Sequence, residues 1–246
     1  MENNKFDYDY KNVIQMDDAE ASSRKFIANV FLWMFLALAI SALCAYEFAF
    51  NPGLATMVVN PETHSFTGFG MVAMFSPLAF LLVMNFGMNR IAYPVLTLLF
   101  IAYAAMTGIS LSVLFYVYSA TAMAGVFGIA ALVFGIMAVA GYTTHQDLTK
   151  FGSILFMLLI GVVLATLANM FIQSMQLDLL ITYVGVAVFV GLVAYKVQML
   201  KRIGAGLEYG DATSSKLALM GALTLYISFI NLFLFLLRLF AGGRRR

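Results

Sequence analysis

Seven continuously apolar stretches run along the chain, at 26–48, 69–87, 92–118, 120–142, 152–174, 179–200 and 217–240, with polar connections between them. None shows the strict alternation of a half-buried strand. Each has roughly the 20 residues that a helix needs to cross a hydrocarbon core. Lipid offers no water to an unpaired backbone group, so a continuous apolar segment must close its hydrogen bonds internally, as a helix. The pattern predicts an all-α polytopic membrane protein, a bundle of seven transmembrane helices. Residues 1–25 are polar and mixed in charge, with Asp7, Asp9, Lys11, Asp17, Asp18, Glu20, Arg24 and Lys25. They read as a flexible or surface-lying tail. Residues 26–240 then form one transmembrane domain and 241–246 a basic C-terminal tail.

Composition sharpens this picture. The chain is 63% hydrophobic and 11% charged, against about 25% charged in soluble domains. A water-soluble fold of this length could not hide so much apolar surface. Cys44 is the single cysteine, so no internal disulfide forms. Leu43 beside it suits a cleavage site poorly, and the first stretch is read as a retained helix and not a cleaved signal.

Basic residues set the expected orientation. Lys5, Lys11, Arg24 and Lys25 precede the first stretch, Arg90 follows the second and Lys150 the fourth; Lys196, Lys201, Arg202 and Lys216 flank the connection after the sixth. The connections after the first, third and fifth stretches hold no Lys or Arg. The positive-inside rule puts the N-terminus in the cytoplasm. A seventh crossing sends Arg244, Arg245 and Arg246 to the other side, against that rule; the length of the last stretch favours a crossing over a re-entrant segment.

Polar and small residues inside the stretches carry the remaining signal. Gly128, Ala131, Gly135 and Ala138 share one helical face, as do Ala104, Gly108 and Ser112; such stripes are expected to let helices approach closely. In the last stretch Thr224, Ser228 and Asn231 recur at i, i+4 and i+7 behind Gly221. A polar face turned to lipid is costly, so it should point into the bundle, which predicts a central C-terminal helix. It serves either hydrogen bonding between helices or the lining of a polar cavity. Lys196 lies about 17 residues into its stretch, near the expected cytoplasmic end, and either snorkels to water or faces Ser228. No acid sits mid-helix; Glu47 is the most embedded.

Several chemistries lack their motifs: H-E-x-x-H, G-x-S-x-G and the phosphate-binding G-x-x-x-x-G-K-[ST] do not occur. One Cys with His64 and His145 in separate connections is too few ligands for a metal site. No enzyme activity, cofactor, metal or nucleic-acid partner is expected; the evident partner is the lipid bilayer.

Three segments resemble the Bax inhibitor-1 family, also called the transmembrane Bax inhibitor motif family. They are Ala194-Tyr195-Lys196-Val197-Gln198, then Leu225-Tyr226-Ile227-Ser228-Phe229-Ile230-Asn231-Leu232-Phe233, and Gly141-Tyr142-Thr143-Thr144-His145-Gln146-Asp147-Leu148-Thr149. Arg90 falls where that family has a basic residue after its second helix. The resemblance, over roughly 20–242, implies a seven-helix bundle with the last helix near the centre and a pH-sensitive cation leak, chiefly of Ca²⁺; the lack of an evident retention or targeting signal fits a bacterial inner (plasma) membrane. It also implies an aspartate pair at the gate, which the basic residue after the second helix can join. Here those two positions are Lys196 and Ser228. A Lys ammonium offers only donors, whereas Ca²⁺ wants oxygen ligands. The expectation is therefore a cation leak channel or transporter with an altered gate, lined by Lys196, Ser228, Asn231, Thr224 and Arg90. Asp147 is a candidate ion-pair partner for those cations. The alternative is a regulatory membrane protein that binds a membrane-protein partner, for example modulating a membrane-bound protease.

Overall fold

The computed structural model describes residues 5–63, 65–207 and 212–241. Its helices are α1 (Lys5–Phe50), α2 (Pro52–Val58), α3 (Gly68–Gly87), α4 (Tyr93–Leu111), α5 (Ala120–Thr143), α6 (Thr149–Ile172), α7 (Met175–Ala205) and α8 (Ala212–Ala241), with a 3₁₀ turn at Ser112–Tyr116 prolonging α4. No strand forms among the described residues; one isolated bridge joins Val59 to Phe66. Seven of the helices, all but α2, are long and apolar enough to span a membrane, as the hydrophobic pattern predicts. The continuous helix α8 includes the whole seventh stretch. His64, Glu208, Asp211 and Arg244 to Arg246 lie outside the described residues.

Two segments differ from their sequence reading. Residues 5–25 are not irregular: the backbone of α1 is helical from Lys5 onward. That segment holds neither Gly nor Pro, so nothing in it interrupts a helix propagating from the apolar stretch. The connection at 49–68 contains α2, started by the Asn51-Pro52 step. The Asn51 side chain accepts the Gly53 N–H at 3.1 Å, and Pro52 opens the first turn, where its missing N–H costs nothing.

The helices differ sharply in how much they bury. α8 packs against α1, α4, α5 and α7; 67% of its most apolar window is buried, against 11% for α6, which packs chiefly on α7. α3 lies outside α4. The face of the bundle that carries the α3–α4 turn, the α5–α6 connection, the end of α7 and the start of α8 also receives α1 from its polar segment. It is termed the N-terminal face below.

The two small-residue stripes part ways. On α4, Ala104 is fully buried and Gly108 lies so close to α1 that a Cβ there would sit 2.4 Å from the Ser41 carbonyl oxygen. This stripe is a helix contact. On α5, Gly128 and Ala131 are exposed, and a Cβ at Gly128 or Gly135 would meet nothing within 4 Å. The expected close packing does not occur at Gly128, Ala131 or Gly135; of that stripe only Ala138 is buried. The α5 face that packs is Val126, Ala130, Phe134, Ala138 and Gly141; Gly141 meets the backbone of Ala194 on α7, where a Cβ would be 2.2 Å from the carbonyl oxygen.

Candidate functional site

α7 places Lys196 nine residues before its last residue, Ala205, which is about 13 Å along the axis at ~1.5 Å per residue. The side chain does not extend to that end. Its Nζ donates to Ser228 Oγ at 2.8 Å and to the Thr224 carbonyl oxygen at 3.4 Å, both on α8. Ser228 is fully buried; its own hydroxyl donates to the Thr224 carbonyl at 2.9 Å. Lys196 is half-buried. The contact is thus an ammonium held by a hydroxyl and a main-chain carbonyl, with no carboxylate in it.

The rest of the α8 polar face behaves differently. Thr224 Oγ1 donates to the Met220 carbonyl at 2.9 Å, and Asn231 Nδ2 to the Ile227 carbonyl at 2.8 Å. Both are half-buried and satisfy these donors within their own helix, the common resort of such residues in apolar surroundings. Of the three, Ser228 is the one whose side chain bonds across to α7. At the opposite end of the same helix pair, Arg238 lies 3.3 Å from Asp178.

Arg90 stands apart from this site. It is exposed in the α3–α4 turn, where its N–H donates to the Gly87 carbonyl at 2.9 Å. Its guanidinium makes no hydrogen bond or ion pair among the described residues. Lys216, at the start of α8, reaches the same turn, its Nζ 3.5 Å from the Met88 carbonyl.

Asp147 also has another partner than the one proposed for it. It neither meets Lys196 nor Arg90: it pairs with Arg202 at 2.8 Å. Its carboxylate also accepts the Thr149 hydroxyl at 2.6 Å and the Thr149 N–H at 3.1 Å. These bonds, the Thr149 hydroxyl first and Arg202 after them, lower its pKa from 3.8 to about 2. The α5–α6 connection that carries Asp147 is fastened to α7 by Gln198, which is 5% exposed. Gln198 Oε1 accepts the Leu148 N–H at 2.8 Å, and Nε2 donates to the Gln146 carbonyl at 2.7 Å. Lys201 donates to the Tyr142 carbonyl at 2.8 Å, near the C-terminus of α5, with Nζ 4.6 Å from the Tyr142 ring centroid. A cation there complements the helix end.

Sequence reasoning did not single out this clamp, although Gln198 stands in a quoted segment; a long amide two residues beyond Lys196 was the available signal. It also missed a buried hydroxyl knot. Tyr226 is fully buried, with its hydroxyl 2.6 Å from Ser41 Oγ. Ser41 has one proton, directed at the Ala37 and Ala104 carbonyls at 2.9 and 2.7 Å, so Tyr226 is the donor to it. The knot ties α8 to α1 and α4. Nothing in the spacing along the chain relates these three helices.

Comparison with known proteins adds the following. A family model described as "Inhibitor of apoptosis-promoting Bax1" matches residues 23–246. The inner membrane protein YbhL of Escherichia coli K12 is 40% identical over 226 residues, covering 92% of this chain and 94% of the relative. The protein RP147 of Rickettsia prowazekii is 39% identical over 224 residues, covering 90% and 91%. A protein of Caulobacter vibrioides is 35% identical over 249 residues, covering 98% and 99%.

Proposed function

The chain belongs to the Bax inhibitor-1 family, and on that premise we propose that it is a bacterial inner-membrane pathway protein, not an enzyme, in which Lys196 and Ser228 replace the family's acidic gate. One observation carries this reading: Lys196 Nζ stands 2.8 Å from Ser228 Oγ. The two positions where the resemblance implies aspartates are therefore hydrogen-bond neighbours across α7 and α8. In this chain the tethered ammonium occupies the place that a passing cation would take. Two like unit charges about 4 Å apart repel by about 4 kcal/mol at an effective dielectric constant of ~20, and a divalent ion doubles that figure. The native latch thus opposes Ca²⁺ passage, and exchange of Lys196 for a carboxylate removes the opposition. YbhL, an inner membrane protein by name, supports the setting; the basic residues on the N-terminal face support a cytoplasmic N-terminus.

The test is Ca²⁺ flux into dye-loaded liposomes across neutral pH. Native protein should leak slowly but above empty vesicles. Lys196→Asp should leak several-fold faster and acquire a pH dependence that the native protein lacks. Flux indistinguishable from empty vesicles for native protein, Lys196→Asp and Ser228→Asp alike would exclude a Ca²⁺ pathway.

A second reading, that of a regulatory protein with a membrane-protein partner, draws on α1. Its backbone continues as helix from Ala19 back to Lys5, beyond the apolar span. Ser22 and Ser23 dock the root of this extension: Ser22 Oγ donates to the Leu207 carbonyl at 2.6 Å, and Ser23 Oγ to the Lys201 carbonyl at 2.9 Å. Deleting residues 2–19 spares both anchors. Under this reading the deletion abolishes partner recovery in a detergent pull-down and leaves the fold intact; undiminished recovery removes the extension as the contact.

A further inference from the structure

The order of helix packing leaves a wedge. α1 packs on α4, α7 and α8, while α5 packs on α7 and α8. On the half of the bundle away from the N-terminal face, α1 and α5 diverge over the side of α8. A cavity of about 330 Å³ lies between them. Ile230 and Phe233 of α8 form its floor, and Leu38, Phe115, Met123 and Phe127 are among its walls. The edge includes Ala42 on α1 with Ala120 and Ala124 on α5, all exposed. The mouth is therefore continuous with the lipid-facing surface of both helices.

We propose that this cavity is a binding site for one acyl chain of a phospholipid in the leaflet opposite the N-terminal face. Size permits it: the volume is about twice the ~150 Å³ of an apolar cavity that takes up benzene. Chemistry selects it. Two lining residues, Ser41 and Tyr46, carry hydroxyls. Ser41 is 3% exposed and already engaged with Tyr226, Ala37 and Ala104. A water molecule needs 2–4 polar partners, so the interior does not hold ordered water. Left empty, its lining would forfeit dispersion contacts that neighbouring hydrocarbon restores. Tyr46 lies one turn before the end of α1, is 58% exposed, and packs on Phe50 with tilted rings whose centroids are 4.8 Å apart. An aromatic with a polar tip at a helix end is the residue type found at headgroup level, which places the lipid head beside Tyr46 and its tail inside.

Photolabelling tests the site in the native protein. The full chain is reconstituted in phosphatidylethanolamine–phosphatidylglycerol vesicles in which some phospholipid carries a diazirine near the end of one acyl chain. Phe233 is only 4% exposed, so a chain must enter the cavity to reach it. Adducts on the α8 peptide containing Ile230 and Phe233 are expected, alongside annular labelling of α3 and α6. Adducts confined to exposed residues of α3 and α6 would overturn the proposal. A second measurement uses Ala42→Phe and Ala124→Phe, each of which puts a ring at the mouth. Either should abolish the α8 adducts and leave α6 labelling unchanged, while Leu158→Phe on the exposed side of α6 should alter neither. Undiminished α8 adducts in both filled variants would also overturn it.

Discussion

Two cations of α7 meet opposite fates within six residues. Arg202 sits on the N-terminal face, half-exposed, paired with the carboxylate of Asp147. Lys196 turns into the bundle and finds a hydroxyl and a carbonyl. The difference teaches where charge can be neutralised in this fold. At the rim, water and a short connection supply an acid at little cost, and the resulting exposed pair is worth little. Between α7 and α8 a second ion would have to be desolvated in turn. The chain instead spends a serine that is otherwise committed to its own helix, and the ammonium leans on oxygen atoms already in place.

The comparison can be broken from either side. The largest loss should come at the rim, from Gln198→Leu, which leaves the Leu148 N–H and the Gln146 carbonyl without their buried partner. A buried group left unpaired costs about 1–3 kcal/mol; Gln146 is exposed and Leu148 half-buried, so water recovers part of that, and thermal unfolding in detergent should drop by a few degrees. An unchanged Tm would mean that the α5–α6 connection is not held by this clamp. Next comes Ser228→Ala, which strips Lys196 of its 2.8 Å partner and leaves the longer carbonyl contact; a loss of about 1–2 kcal/mol is expected. Lys196→Met should cost less than Ser228→Ala, within about 1 kcal/mol or even a gain, because the Ser228 hydroxyl keeps its own bond to Thr224. Should Lys196→Met prove the more damaging, the latch is an essential strut and the view of it as a removable plug fails.

The smallest effect belongs to Asp147→Asn. The native carboxylate titrates at about 2 in place of 3.8 because Thr149 and Arg202 favour its charged form. A folded-state pKa below the unfolded one stabilises the protein above the unfolded value and loses that contribution as pH falls. The native chain should therefore exceed the variant slightly in Tm at neutral pH. The gap should close as pH is lowered from 3.8 toward about 2. A gap that persists below that window would assign the effect to something other than ionisation.

Much of the molecule was legible in the chain. The seven apolar helices follow from run length, and the inward placement of Ser228 follows from the polar face it shares, because one hydroxyl face on a greasy helix has few alternatives. Local rules also foreshadow α2, because the Asn51-Pro52 step inside the 49–68 connection is a helix start. The partner of Lys196 is half legible: the sequence admits both Ser228 and snorkelling to water, and spacing does not choose between them. Asp147 reads in the sequence as a candidate partner for Lys196 and Arg90, whereas the structure pairs it with Arg202, because position along the chain does not fix helix rotation. The stripes on α4 and α5 have equal claims to be contacts, yet the α4 stripe meets α1 along its length and the α5 stripe is buried only at Ala138.

By itself the sequence determined that this chain belongs in lipid, how many of its helices are long and apolar enough to cross it, and which residues need a polar partner. Those properties depend on the transfer energy of each segment, which is local and additive along the chain. Only the tertiary structure decided which glycine meets a backbone, which oxygen receives the ammonium, and where a wedge stays open between α1 and α5. In lipid, helices associate through shape and a few hydrogen bonds and not through water exclusion. Such contacts depend on the rotation and crossing of several helices at once, and no single segment encodes them.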